Sequence, residues 1–338
     1  MAEIVLGMGT SHGPMLVTPP HTWGSRLPDD RRSLHHYQGR TWTFDELVQH
    51  RASENLAAQI RPEVWEARHA RCMQAIERMS QVLAEARPDV AVIVGNDQME
   101  IFDDMLVPAF SVMWGETIVN NMISDEKLSR LPPGVAHAMP GYMPPQATYS
   151  GVPALGRHLI ERTVADGFDI TALKHLSATE TPHAFGFVFR QLMKDQVIPT
   201  VPVLINTFYP PNQPTAGRCH AFGRSLARAI RSWDSDARVA IIASGGLTHF
   251  VIDESVDQLI LDSMRAHDFS PVEGLGEAIF QAGTSEVKNW IPVAGAMDEL
   301  GFGMEVIDYV PCYRSEAGTG NAMGFACWRP DNHKETIR

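Results

Sequence analysis

Apolar positions along this chain switch between two spacings, and the switches mark out its elements. Ile4-Val5-Leu6-Gly7-Met8 is a short apolar run that leads straight into the turn Thr10-Ser11-His12-Gly13-Pro14. From Glu63 to Ala86, the residues Val64, Ala67, Ala70, Met73, Ile76, Val82 and Leu83 recur at helical spacing, which predicts a long amphipathic helix. Arg87-Pro88-Asp89 stops it, and Val90 to Val94 follows as an unbroken apolar run, the pattern of a strand covered on both faces. The alternation then continues in kind. Strands are expected at Val201–Ile205 and Val239–Ala243, with a helix at Arg218–Arg231 between them. After Gly245-Gly246 come helices at Glu254–Ala266 and Glu286–Leu300, then strands at Glu305–Val310 and Ala322–Cys327. Strands alternating with helices predict an α/β fold: a single catalytic domain over 1–338 with a central, mainly parallel sheet flanked by helices.

Two stretches break the rhythm. Residues 17–45 carry tandem prolines, Asp29-Asp30-Arg31-Arg32 and the aromatics Trp23, Tyr37, Trp42 and Phe44. Aromatics at that density pack on something, so an ordered, loop-rich extension is expected over about 17–62. Ser124 to Pro153 is rich in Pro, Gly and Met and is expected to be a loop over one end of the sheet.

Composition narrows the function classes. The chain has 338 residues, 44% hydrophobic and 20% charged, enough apolar material for a large core and unlike a disordered chain. A formal net charge of −12 argues against nucleic acid and against anionic lipid as partners. The four cysteines form no CxxC pair, which points to a reducing compartment. No basic leader and no run of eighteen apolar residues occurs, so a cytoplasmic protein without membrane spans is expected.

Candidate chemistry gathers where predicted strands end. His12 follows the first strand, Gly95-Asn96-Asp97-Gln98 the second, and Leu247-Thr248-His249-Phe250 the glycine pair, while His183 lies in Glu180-Thr181-Pro182-His183. In open α/β sheets the crevice at the carboxyl ends of strands is the usual ligand site, so these groups are expected to share one cleft. Other signatures are missing. Gly7-Met8-Gly9 and Gly318-Thr319-Gly320 lack the rest of a dinucleotide fingerprint, and no GxxxxGK[ST] or HExxH occurs. What remains is a mononuclear metal site or a histidine acid/base site.

In order and spacing, Thr10-Ser11-His12-Gly13-Pro14, Val94-Gly95-Asn96-Asp97-Gln98, Pro182-His183 and Gly245-Gly246-Leu247-Thr248-His249 resemble the type II (class III) extradiol dioxygenases. These are enzymes of the protocatechuate 4,5-dioxygenase kind. The opening GTSHGPM and the Pro19-Pro20…Trp23 pattern look most like the gallate and 3-O-methylgallate branch. The resemblance implies non-haem Fe(II) with dioxygen as co-substrate, a small aromatic substrate opened to a muconate-type acid, and a homo-oligomer, expected as a dimer. It implies His12 and Glu286 as metal ligands, with Glu254 and Glu316 as the other carboxylates to consider. The family's second histidine ligand falls on Gln98, so either Gln98 binds the metal, or His35, His36 or His50 of the extension does, or metal is absent. His249 matches the family's acid/base histidine and His183 a second histidine near the substrate hydroxyl. Arg218, Arg314 and Thr319 are the candidates for holding a ring substituent. Because of Gln98, the alternative is a non-redox relative: a Memo-like binding protein or a metal-assisted hydrolase.

Overall fold

Along the apolar runs, alternate residues face opposite sides of one sheet, and both sides are covered. The computed structural model describes residues 1–131, 133–176 and 180–330. Its nine-stranded sheet is built from β1 (Glu3–Thr10), β2 (Val90–Asn96), β3 (Phe110–Met113), β4 (Thr171–Leu173), β5 (Thr200–Ile205), β6 (Arg238–Ser244), β7 (His249–Val251), β8 (Gly303–Tyr313) and β9 (Thr319–Arg329). The order is β7-β9-β1-β6-β2-β5-β3-β4, with β8 also paired to β9. The central strands β1, β6, β2 and β5 run parallel. Both flanks turn antiparallel, where β9 meets β1 and where β3 meets β5, so the sheet is mixed around a parallel centre.

The longest helices are α1 (Pro62–Ala86), α2 (Pro153–Ala165), α3 (Ala216–Ser232), α4 (Glu254–Ala266) and α5 (Val287–Leu300). From β6, Val239, Ile241 and Ala243 pack with Phe222 and Leu226 of α3, Ile260 of α4 and Trp290 of α5. Its intervening Ala240 and Ile242 pack the opposite way, with Ile76, Met79 and Leu83 of α1. An apolar residue at every position is the consequence of having helices on both faces. Each cap is local chemistry: Thr215 accepts from the Arg218 amide to start α3, Asp253 from the Val256 amide to start α4, and Gly301, at φ +65°, ends α5.

Residues 17–62 are ordered by packing on the main fold, where Trp23 and Leu56 join the two large cores and a third, smaller cluster forms. A hairpin pairs His35–Tyr37 with Arg40–Trp42, and a helix over Phe44–His50 opens on a Thr43/Glu46 capping box. Tyr37, Phe44 and Leu47 then pack with Val251 of β7 and with Ala317. Nearby, the buried Asp30 accepts from Nε and Nη2 of Arg314, both at 2.7 Å, and from the Thr319 hydroxyl at 2.7 Å. Burial alone raises the Asp30 pKa, but the Arg314 guanidinium outweighs it and holds the carboxyl below its usual 3.8. Asp30→Asn leaves a buried guanidinium without its counter-charge and is expected to lower unfolding free energy by about 3–5 kcal/mol. Denaturant titration reads this directly. A group with a depressed folded pKa stabilises above its unfolded value, so the gap between wild type and variant should close as the pH falls below 3.8.

Ser124 to Pro153 is more structured than a loop. It holds short helices at Asp125–Arg130 and Pro133–Tyr142, and the strand Ala147–Ser150, which pairs with Thr117–Asn120. Pro140, inside the second helix, hides the helical pattern from a reading of the sequence. No helix among the described residues is long and apolar enough to cross a membrane.

Candidate active site

Because β1, β6, β2 and β5 run parallel, their carboxyl ends share one edge of the sheet, and the polar turns beyond them meet there. His12 lies two residues past β1, Asn96 ends β2, Gln98 stands two residues later, and Ser244 ends β6. Glu286 enters from above. It closes a 3-10 turn over Ala282–Glu286 immediately before α5, which starts one residue later than the helix expected from sequence.

Glu286 is the hub. Its Oε2 lies 3.1 Å from His12 Nε2 and 3.6 Å from His249 Nε2. Its Oε1 accepts from Asn96 Nδ2 at 3.2 Å and from Gln98 Nε2 at 3.1 Å. Asn96 is oriented in turn by Asn289 of α5, whose Nδ2 donates to Asn96 Oδ1 at 2.8 Å. Each histidine has one ring nitrogen occupied by a partner away from the hub. His12 Nδ1 meets the Ser244 hydroxyl at 2.9 Å, His249 Nδ1 donates to the Leu247 carbonyl at 2.8 Å, and His183 Nδ1 donates to Glu100 Oε2 at 2.6 Å. The Glu100 carboxylate also accepts from the His183 amide at 2.9 Å, which pins that residue at the start of its short helix. The His12 and His183 rings stand edge to face, centroids 4.7 Å apart. Ligating atoms of His12, His183 and Glu286 all lie within 4.8 Å of one another.

Glycine makes room for His249. A Cβ on Gly246 would sit 2.5 Å from His249 Nδ1, and one on Gly283 would sit 2.5 Å from its Cδ2. The ring is therefore clasped between two residues that have no side chain. Of the Gly245-Gly246 pair only Gly246 approaches the ring, since a Cβ on Gly245 would meet Asn289 and the Glu286 carbonyl instead.

Charge follows from these contacts. Burial works against the Glu286 carboxylate, yet the His249 and His12 imidazoles outweigh it and hold its pKa well below the usual carboxylate range. Burial lowers the His12 pKa despite that same carboxylate. For His183, burial is overcome by Glu100, and the pKa is pushed up to about 9. For His249, burial is overcome by Glu286 and the pKa is raised. The result is an ionised buried carboxylate ringed by three imidazoles, at the floor of a cavity of about 300 Å³. Its far wall comes from the 123–143 segment through Ile123, Leu131, Val135, Met139 and Met143. Tyr142 of that segment donates to the His12 carbonyl at 2.6 Å.

Several expectations need correction. None of His35, His36 and His50 lines the cavity: His35 is buried against the Asp30 carbonyl, His36 is exposed, and His50 lies over Trp42. What the extension contributes there is Arg26. Glu254 accepts from the Tyr313 hydroxyl, and neither it nor Glu316 lines the cavity. Arg218 donates to the Gly167 carbonyl, while Arg314 and Thr319 are consumed by Asp30, so none of the three faces a ligand space. Gln98 does reach the hub, but with its amide nitrogen. The Tyr209 hydroxyl donates to its Oε1 at 3.3 Å, and a carboxylate can only accept, so both neighbours favour this orientation. Sequence patterns do not single out Glu100, Ser244 and Asn289. Glu100 stands two residues past Gln98 in a polar stretch after a strand, the one signal that marks it; Ser244 joins the site through the sheet and Asn289 through helix α5.

Known proteins resemble this chain to different extents. Over 107 residues the chain is 36% identical to a gallate dioxygenase of Pseudomonas putida strain KT2440, a match covering 31% of this chain and 30% of that enzyme's length. The crystal structure of the uncharacterized protein JW3007 from Escherichia coli K12 superposes with a TM-score of 0.48 at 15% identity, covering 95% of this chain and 99% of that one. The family described as the catalytic LigB subunit of aromatic ring-opening dioxygenase matches residues 56–315, which takes in three of the strands that form the parallel centre together with Gln98, His183, His249 and Glu286. With that match over most of its length, the chain belongs to the LigB family of aromatic ring-opening dioxygenases.

Proposed function

We propose that the protein is an extradiol dioxygenase that opens a catechol- or gallate-type ring with dioxygen at a non-haem Fe(II). The observation that carries this reading is the convergence of His12, His183 and Glu286 at the cavity floor beside a further histidine, His249. Two imidazoles and one carboxylate, with the remaining positions open to a cavity, are the donor set of non-haem Fe(II) oxygenases. The outer contacts suit it. When His12 donates its Nδ1 proton to Ser244, its Nε2 lone pair is free, and Glu100 does the same for His183, a carboxylate–histidine arrangement that supports metal ligands. Gln98 is assigned to orienting Glu286, since its amide nitrogen has no lone pair to offer.

Bound Fe(II) would supply Lewis acidity toward two adjacent ring oxygens and the redox chemistry that dioxygen requires. Protein groups do the rest. His249 keeps its Nδ1 proton on the Leu247 carbonyl, so Nε2 is the atom that takes a proton from a substrate hydroxyl and returns it. The apolar wall of the 123–143 segment excludes water from the ring. Local likeness to a gallate dioxygenase supports a hydroxylated aromatic as substrate.

Anaerobic loading with Fe(II), followed by oxygen uptake against catechols and gallates, tests the reading. One dioxygen consumed per ring opened is the expected result. Near-stoichiometric zinc without oxygen uptake would favour a hydrolase, and an iron-loaded protein that consumes no oxygen with any of these compounds overturns the proposal.

A further inference from the structure

We propose that Arg26 anchors an anionic substituent on the substrate ring, so that the preferred substrate is an aromatic acid and not an uncharged phenol; this rests on the ring-opening reading of the cavity. Two cations line that cavity, Arg26 and Lys127. Lys127 is already paired, its Nζ 3.0 Å from Glu180 Oε2. Among the described residues the Arg26 side chain makes no hydrogen bond and no ion pair, and its Nε is buried without a partner. The two carboxylates nearest to it in sequence are committed elsewhere. Asp29 is held by Arg32 at 2.6 Å, and Asp30 takes two bonds from Arg314.

Arg26 is thus a cation whose local counter-charges have been claimed by other arginines. Burial and the neighbouring Arg314 guanidinium disfavour its charge, and Asp30 and Asp29, which give it no hydrogen bond, offset them only in part. A buried donor left unpaired carries a desolvation cost that a ligand can offset, and a planar carboxylate matches the guanidinium fork with two acceptors. Position suits the role. Arg26 closes a turn over Pro20–Arg26 that packs against the helix Pro133–Tyr142, and Tyr142 donates its hydroxyl to the His12 carbonyl, so the anion would bind on the His12 side of the cavity. The apolar wall formed by Leu131, Val135 and Met139 offers the ring a surface and offers a carboxylate nothing.

Calorimetric titration under anaerobic conditions, using the Fe(II)-loaded protein, tests this with protocatechuate against catechol and with benzoate against phenol. Wild type is expected to bind each acid about 10–100-fold more tightly than its uncharged counterpart. Arg26→Gln should bring each pair to near parity while leaving catechol affinity within about twofold, and Arg26→Lys should retain part of the preference. Benzoate has no adjacent hydroxyls, so its arm reads the anion site even if the protein opens no ring. The proposal is overturned if wild type shows no preference for the acids, if Arg26→Gln preserves it, or if both Arg26 variants weaken acid and phenol alike.

Discussion

Replacing His249 by Phe is expected to lower turnover by about 10²–10⁴-fold while leaving the metal in place. The size comes from removing the one imidazole on the cavity floor that the proposed metal set does not use, with its Nε2 directed at the space beside Glu286. Substrate affinity should change much less than turnover, because the metal, the apolar wall and Arg26 all remain. A proton acceptor must be unprotonated to act, so activity should fall as the pH drops through the His249 pKa of the loaded enzyme, and this acidic limb should vanish in the variant. If the ring only packs the turn between Gly246 and Gly283, the variant would instead melt earlier and turn over normally. Comparing melting temperature with turnover of the folded fraction separates the two.

Loss of metal is the second large effect. Glu286→Gln and His12→Ala are each expected to abolish retention of Fe(II) through gel filtration, read as iron per chain. Glu286 supplies the only carboxylate in the three-residue set, and its charge is what two imidazoles are arranged around. His183→Ala should release iron as well. Gln98→Leu should weaken metal affinity by about 10–100-fold, the usual consequence of removing an orienting partner. The ranking of these variants decides the third ligand. Should Gln98→Leu strip the iron completely while His183→Ala keeps it, then Gln98 is the ligand and His183 the supporting group.

Strands and helices with strong apolar periodicity are legible from the sequence because their burial is local in origin. The run Val90–Val94, the helix ending at Ala86 and the strand preceding Gly245 all stand within a few residues of their expected places. Short strands such as Phe110–Met113 and Thr171–Leu173 are not legible, since four or three residues carry no period. In the site, His12, Gln98 and His249 can be anticipated because strand ends in a parallel sheet converge by topology. The orientation of the Gln98 amide cannot, for it depends on Tyr209, more than a hundred residues away. Nor can the role of Arg26. Its availability is decided by which arginine captures Asp30, and that pairing joins residues nearly three hundred positions apart.

The strand that presents His12 also sets the order in which the molecule can assemble. Gly7 of β1 pairs with Ile241 on one side and with Trp328 on the other, so both neighbours arrive roughly 230 and 320 residues later in synthesis. Strand β9 is shared: it borders β1 and also holds β7, where Asn321 faces His249. Loop closure over such distances adds little to the thermodynamic cost, about 0.6 kcal/mol per doubling of length, but contacts of long range slow folding strongly. The ligand cluster is therefore a late product of folding. A nascent chain that has not yet released β9 already contains His12, His183, His249 and Glu286, but it lacks the strand that brackets β1 and β7, and it carries four separate side chains instead of a site.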